Sequence, residues 1–260
     1  LVTMGTACNG GTAYGLGPQG DVQRALNYVR LVRDNVSATT FQDVPATYWA
    51  YSWIEALAAN GVTTGCSVTP SLFCPAIPVS RAQMAVFLLR SKHGSTYVPP
   101  TATGTVFQDV PASYWSAAWI EQLAAEGITD GCGVALYCPE VTVTRDQMAI
   151  FLLRSEHGSA YAPPTATGAA FGDISADHWA ADWIEQLVSE GITTGCGGGN
   201  YCPSTSVTRD QMAVFLVRTF NLPSTPAQFN MEQTLSEGAQ RNTIAFDALA
   251  FLTGSLGADS

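Results

Sequence analysis

The chain contains one block of sequence three times, and any fold must accommodate all three copies. The copies span residues 41–94, 107–158 and 171–223. A unit repeated at this period is one supersecondary module that buries its apolar face against its neighbours. All six tryptophans and six of the seven cysteines lie inside the copies. The repeats therefore hold most of the residues able to build a core or a crosslink.

Each copy predicts two helices. In the middle copy Trp115, Trp119 and Leu123 recur at four-residue steps, which predicts a first helix with both indoles on one face, mainly in the core. Gly127 stands where a left-handed residue would end that helix. A second helix is predicted after Thr144, which has the capping-box spacing to Gln147. The matching residues are Trp49, Trp53, Leu57, Gly61, Ser80 and Gln83 in the first copy and Trp179, Trp183, Leu187, Gly191, Thr208 and Gln211 in the third.

The blocks FxDVPxxYW, WIExLAAxGIT and VTRxQMAxFLLR recur in this order and at fixed spacing. Residues 41 to 223 thereby resemble the S-layer homology family, whose modules come in threes. The resemblance implies a mainly α fold, with three two-helix repeats in a pseudo-threefold bundle. Extended connectors would join the repeats at 95–106 and 159–170. Less regular flanks are expected at 1–40, a Gly-rich loop plus a docking helix, and at 224–260.

The same resemblance implies a function and a set of site residues. The family's modules anchor proteins to bacterial envelope polysaccharide. The implied ligand is therefore an acidic cell-wall polysaccharide, such as a pyruvylated one, and the implied location is extracellular, at the cell surface or cell wall. The glycan-binding residues would be Arg81, Arg145, Arg209, Asp43, Asp109, Asp173, Trp49, Trp115 and Trp179. For the tryptophans, the alternative to a core position is that one indole of each pair lines a sugar-stacking groove.

The three arginines follow the helix cap directly, where a cation opposes the helix dipole. Two explanations are open from the residues alone. A helix N-terminus with free N–H groups, a hydroxyl and a guanidinium would receive a carboxylate or phosphate. Alternatively, each arginine pairs with the aspartate of the FxD step. The resemblance to the family favours the first explanation, in which the arginine binds an acidic ligand. The glutamate that the family usually has two residues after this arginine is replaced here by Gln83, Gln147 and Gln211.

Each copy also carries two cysteines close together in one loop. The predicted disulfides are Cys66–Cys74, Cys132–Cys138 and Cys196–Cys202. Zinc would require two such pairs to converge, and each copy offers one isolated pair. Three local disulfides place the protein in an oxidising compartment. The cysteines also depart from the family's usual loop at this point.

Charge and composition exclude several classes of function. A net charge of −10 with a single lysine argues against nucleic acid, and no run of residues is long and apolar enough to span a membrane. No catalytic motif or phosphate loop is present, so no enzyme activity and no cofactor are expected. His93 and His157 are interpreted as cations at helix C-termini rather than metal ligands.

Two further expectations concern the chain as a whole. It starts at Leu1, which suggests a processed product or a piece of a longer protein, and Cys8 lacks a partner within the repeats and suggests a free thiol or a bond to another chain. The alternative function is that of a structural subunit, in which the bundle packs against other proteins of a surface layer, filament or envelope complex.

Overall fold

The computed structural model describes residues 39–223. The predicted docking helix, Cys8 and the C-terminal flank lie outside the described residues. Six helices and one two-stranded sheet make up the described part, so the mainly α prediction is confirmed. The first helices of the copies are α1 (Tyr51–Ala59), α3 (Ala117–Ala125) and α5 (Ala181–Ser189). The second helices are α2 (Arg81–His93), α4 (Arg145–His157) and α6 (Arg209–Thr219). The sheet pairs β1 (Ser67–Val68) with β2 (Ser71–Leu72) in antiparallel fashion.

The first helices begin later than their tryptophan spacing predicts. In the middle copy, tight turns close from Tyr114 N to Pro111 O and from Ala117 N to Tyr114 O, and the helix starts only at Ala117. Trp115 therefore lies in the entry turn, and the prediction that both indoles share one helix face is wrong. Trp119 is inside the helix and packs against the core. Gly127 has φ 67°, as predicted for the left-handed residue that ends this helix.

The predicted capping box forms at only one of the three second helices. Ser80 and Gln83 exchange both capping hydrogen bonds at the start of α2. At α4 the hydroxyl of Thr144 donates instead to Asp146, and the same carboxylate accepts the N–H of Gln147 at 2.7 Å. The prediction is wrong for α4 and α6 because both have an aspartate at this second helical position, which takes the hydroxyl and the N–H, whereas α2 has alanine there.

The second helices form the centre of the bundle. Helices α2, α4 and α6 pack against one another, and each also contacts the first helix of the following copy: α2 packs on α3, α4 on α5 and α6 on α1. Each second helix buries methionine, alanine, phenylalanine and leucine side chains in one continuous core. The first helix of each copy thus completes its burial against a neighbouring copy, so the copies are interdependent for stability.

A cycle of backbone hydrogen bonds joins the three copies just before their second helices. Val79 N donates to Val207 O at 2.9 Å, Val207 N to Val143 O at 2.8 Å, and Val143 N to Val79 O at 3.0 Å. All three valines are fully buried. Because the cycle closes, it requires all three copies and fixes where each second helix starts.

Between residues 39 and 223, none of the helices has both the length and the apolar character that crossing a lipid bilayer would require.

Candidate ligand-binding grooves

Three surface grooves lie beside the second helices, and each is lined by residues from all three copies. We number them by the copy that contributes the second helix. Groove 1 is lined by the Val62–Gly65 loop, Gln83, Phe87, Arg90, Trp115 and Arg209. Groove 2 is lined by the Ile128–Cys132 loop, Gln147, Phe151, Arg154, Trp179 and Arg81. Groove 3 is lined by the Ile192–Cys196 loop, Gln211, Phe215, Arg218, Trp49 and Arg145.

The arginine at the start of each second helix reaches into the groove of another copy. Arg81 is 3% exposed, and its Nε donates to the carbonyl of Tyr137 at 2.7 Å. Its guanidinium carbon lies 4.7 Å from the ring centre of Tyr137 and 5.2 Å from that of Phe151. Nη2 has no hydrogen-bond partner among the described residues. Arg145 and Arg209 make the equivalent contacts, with Nε donating to Tyr201 and Phe73 carbonyls at 2.7 Å.

These arginines are buried cations without a paired carboxylate. No ion pair joins Arg81, Arg145 or Arg209 to an acidic side chain in residues 39–223. Burial lowers the pKa of all three guanidinium groups. The alternative in which each arginine pairs with the aspartate of the FxD step is therefore wrong, because the main-chain carbonyl and two aromatic rings take that place.

The helix N-termini themselves are not free to receive an anion. At α2 the N–H of Arg81 donates to Val141 O and that of Ala82 to Pro139 O, both at 2.9 Å, and the N–H of Gln83 donates to the Ser80 hydroxyl. The corresponding groups of α4 and α6 are occupied by carbonyls of the next copy in the same way. The predicted receptor of free N–H groups is thus corrected: only the guanidinium remains available.

The three aspartates of the FxD step hold the cysteine loops. Both carboxylate oxygens of Asp109 accept backbone N–H groups, from Tyr137 at 2.8 Å and from Cys138 at 2.7 Å. Asp43 and Asp173 do the same in their own copies. Because the Tyr137 carbonyl in turn anchors Arg81, Asp109 positions the groove arginine through the loop.

The predicted disulfides are confirmed, each within one copy. Cys66–Cys74, Cys132–Cys138 and Cys196–Cys202 all have a Cα–Cα separation of 6.0 Å, within the range that a disulfide spans. Cys132 and Cys196 end the loops that line grooves 2 and 3, and Cys66 directly follows the loop of groove 1. Gly131, directly before Cys132, has φ 99°, and a Cβ there would lie 2.3 Å from Leu136 O. Only glycine fits this close backbone approach.

The tryptophans of the entry turns are exposed at the groove mouths. Trp49, Trp115 and Trp179 are 59–62% exposed. A mainly core position was expected for them, and the structure instead favours the alternative of a groove-lining indole. The second tryptophans are half-buried and carry an arginine on their ring: Arg90 lies 5.4 Å from the ring centre of Trp119. Arg154 and Arg218 contact Trp183 and Trp53 in the same way.

Sequence reasoning missed Arg90, Arg154 and Arg218 as groove residues. The helix dipole alone explains a cation in the last turn of a helix, so sequence reasoning did not assign these arginines to a groove as well. The available signal was that each follows Phe87, Phe151 or Phe215 by three residues and therefore lies on the same helix face.

The grooves differ in charge and in size. In groove 2 the Asp130 carboxylate, 85% exposed, pairs with Arg154 at 2.9 Å. Thr64 and Thr194 occupy this position in grooves 1 and 3, where Arg90 and Arg218 donate to main-chain carbonyls instead. Groove 2 therefore carries one negative charge that the others lack. Groove 2 also has the largest volume of the three, about 530 Å³ against about 260 Å³ for groove 3 and about 190 Å³ for groove 1.

Comparison with known proteins identifies the family. Residues 170–213 match the profile of the S-layer homology domain. The chain therefore contains an S-layer homology domain, and the family indicated by its motifs is confirmed. The S-layer proteins of Bacillus licheniformis and of Bacillus thuringiensis subsp. finitimus are 41% and 39% identical to it over 61 residues, 24% of this chain and 7% and 8% of theirs.

A second kind of relative is an endoglucanase from Bacillus sp. (strain KSM-635), 26% identical over 175 residues. The match covers 62% of this chain and 18% of the endoglucanase. The chain thus spans less than a fifth of each of these relatives. The matches support a module associated with the cell surface.

Proposed function

We propose that the chain is a non-catalytic anchor that binds acidic cell-wall polysaccharide, such as a pyruvylated one, in its three grooves. One observation carries the proposal: each groove is lined by a buried arginine that lacks a paired carboxylate, beside an exposed tryptophan. A buried charge without a counter-ion is costly, and an anionic substituent of a ligand would offset that cost. The indole offers a flat apolar face for a sugar ring.

The proposal includes the arrangement of the copies. Repeats at 41–94, 107–158 and 171–223 would form a pseudo-threefold bundle, supported by the cyclic hydrogen bonds of Val79, Val143 and Val207. Such a bundle presents three similar sites on one rigid body. Weak binding at each site would then add up to high avidity for a polysaccharide that repeats its acidic group.

The three grooves are expected to differ in affinity. Grooves 1 and 3 each offer two arginines, whereas Asp130 offsets one of the two charges of groove 2. An acidic sugar should therefore bind more weakly in groove 2 despite its larger volume. Replacing Asp130 with threonine, the residue at the matching positions, should strengthen binding there.

The test uses an acidic wall polysaccharide and the same polymer after removal of its acidic groups, with isothermal titration calorimetry as the measurement. Arg145→Gln and Arg209→Gln should each weaken binding of the acidic polymer by about 1.5–3 kcal/mol per site, the value of a charge-assisted hydrogen bond. Asp130→Thr is the matched control, because it should strengthen binding of the acidic polymer in groove 2. Failure of the wild-type chain to prefer the acidic polymer would refute the anchor.

Because each arginine also bonds a loop carbonyl, its replacement should lower stability as well. Thermal unfolding of each variant therefore accompanies the titration, and affinity is compared at a temperature where every variant is folded. Trp49→Ala separates the two effects in groove 3, since this exposed side chain contributes little to stability but should contribute to sugar binding.

A second candidate is a structural subunit of an extracellular layer, filament or envelope complex. The observation in its favour is a set of exposed apolar side chains outside the grooves: Val134 is 96% exposed, and Val68 and Val98 are also largely exposed. Under this alternative, Val134→Asp would impair co-assembly with other surface proteins and leave polysaccharide binding unchanged.

A further inference from the structure

A cluster of one imidazole and two carboxylates lies away from the grooves, where the second copy meets the third. Glu156 and His157 come from the end of α4, and Glu190 caps the C-terminus of α5. His157 Nε2 lies 2.9 Å from Glu190 Oε1 and 3.9 Å from Glu156 Oε2. The potential ligand atoms of the three residues all lie within 4.8 Å of one another.

The chain provides an internal comparison for this cluster. At the matching junction between the first and second copies, the residues are Lys92, His93 and Glu126. There the Lys92 ammonium donates to Glu126 Oε2 at 2.8 Å, and His93 Nε2 contacts Oε1 at 2.7 Å. The two junctions share the histidine and the capping glutamate, and differ in one respect: a cation, Lys92, is replaced by an anion, Glu156.

The surroundings of the cluster also favour a cation. Both helices present their C-terminal ends, which carry partial negative charge. Neither neighbouring arginine pairs with the cluster. Arg154 pairs with Asp130 and lies on the ring of Trp183. Arg218, which lines a pocket together with Glu190, donates to Ile192 O at 3.1 Å and lies on the ring of Trp53.

We infer that Glu156, His157 and Glu190 form a binding site for a first-row divalent transition-metal ion of the Zn²⁺ class. An imidazole with two carboxylates is a donor set suited to such ions, whereas Ca²⁺ and Mg²⁺ prefer oxygen alone. Ligands at about 2.0–2.2 Å from tetrahedral zinc lie about 3.4 Å apart. The two distances from His157, 2.9 Å and 3.9 Å, bracket that value, and the two carboxylates lie within 4.8 Å of each other. Side-chain rotations that bring the carboxylates closer would complete the site.

Binding would join the second and third copies through a metal in the way that Lys92 and Glu126 join the first and second by an ion pair. The third junction carries Asn60, Phe220 and Asn221 at the matching positions, which do not provide such a site. One ion per chain is therefore expected. The ion would lie between His157 Nε2 and Glu190 Oε1, which are 2.9 Å apart, and water would complete the coordination.

In the experiment, the full chain is first treated with EDTA and dialysed. It is then titrated with zinc chloride alone, and isothermal titration calorimetry measures the binding. All proteins carry Cys8→Ser, so that this thiol cannot supply a ligand. The Cys8→Ser protein should bind one zinc ion and unfold at a higher temperature with zinc than without it. Adding Glu156→Lys, which recreates the Lys92 arrangement, should abolish binding while leaving the unfolding temperature without metal unchanged or higher.

Three further variants sharpen the test. Lys92→Glu should create a second site and raise the stoichiometry from one zinc ion to two. Glu126→Gln, made without the Lys92 change, should leave zinc binding unchanged. Glu190→Gln removes a ligand without adding charge and should also abolish binding. The inference is overturned if the Cys8→Ser protein takes up no zinc saturably, if it prefers Ca²⁺ to Zn²⁺, or if Glu156→Lys or Glu190→Gln binds as before. A Lys92→Glu protein with unchanged stoichiometry would overturn it as well.

Discussion

Replacing Asp109 with asparagine should destabilise the fold through the cysteine loop of the second copy. The carboxylate accepts N–H groups from Tyr137 and Cys138, at 2.8 Å and 2.7 Å. Asparagine is nearly isosteric, but it has one acceptor oxygen and turns its NH₂ group toward the other N–H. One charge-assisted bond is then weakened and one donor is left unsatisfied, for a combined loss of about 3 kcal/mol.

Thermal and urea unfolding of wild type and Asp109→Asn measure this loss. For a domain of this size, about 3 kcal/mol corresponds to a decrease in Tm of about 6–12 °C. Asp130→Asn is the control, because Asp130 is an exposed carboxylate with a single surface ion pair and should change stability by less than about 1 kcal/mol. If Asp109→Asn costs less than about 0.5 kcal/mol, the carboxylate does not hold the loop and its supporting role for Arg81 fails.

Two other predictions test the helix packing and the junction between copies. Trp119→Ala should lower the free energy of unfolding by about 2 kcal/mol, less than the about 3–5 kcal/mol of a fully buried indole, because Trp119 is only half-buried. Trp115 is exposed, so Trp115→Ala should lower it by under about 0.5 kcal/mol. Urea unfolding measures both changes, and equal losses would contradict this assignment. Burial alone would raise the pKa of Glu126, but hydrogen bonds from Gln122, Lys92 and His93 lower it overall. The contribution of the Glu126 carboxylate to stability is therefore fully present above its ordinary pKa and is lost as the pH falls through the lower folded-state value. Calorimetry should find that wild type unfolds about 2–4 °C higher than Glu126→Gln near neutral pH and at the same temperature in acid. A gap that persists or widens in acid would show the sign to be wrong.

The sequence by itself determined the local structure. The two helices in each copy, the left-handed Gly127 and the three disulfides follow from residue spacing over fewer than about ten positions, and the three copies follow from the recurrence of the same sequence blocks. These features depend on contacts within one turn of helix or one short loop, so the order of residues suffices to predict them. The family also follows from the sequence, because its motif blocks recur with fixed spacing.

Which copy completes which site was decided only by the tertiary structure. Arg81 bonds the carbonyl of Tyr137, 56 residues away, and lines groove 2 rather than a groove of its own copy. Helical periodicity says which face of α2 is apolar, but not which of three similar first helices will cover it. That choice depends on how the connectors return the chain and on the cycle of Val79, Val143 and Val207.

The fate of individual polar groups was likewise a tertiary outcome. The spacing of Thr144 and Gln147 suits a capping box, yet Asp146 accepts the N–H of Gln147 in place of the Thr144 hydroxyl and also accepts a hydrogen bond from that hydroxyl. Sequence reasoning treated Asp109 as a partner for the arginine or the ligand, whereas the loop N–H groups of its own copy use both of its oxygens. Competition among acceptors is settled by distances of a few tenths of an ångström, and only the folded backbone sets those distances.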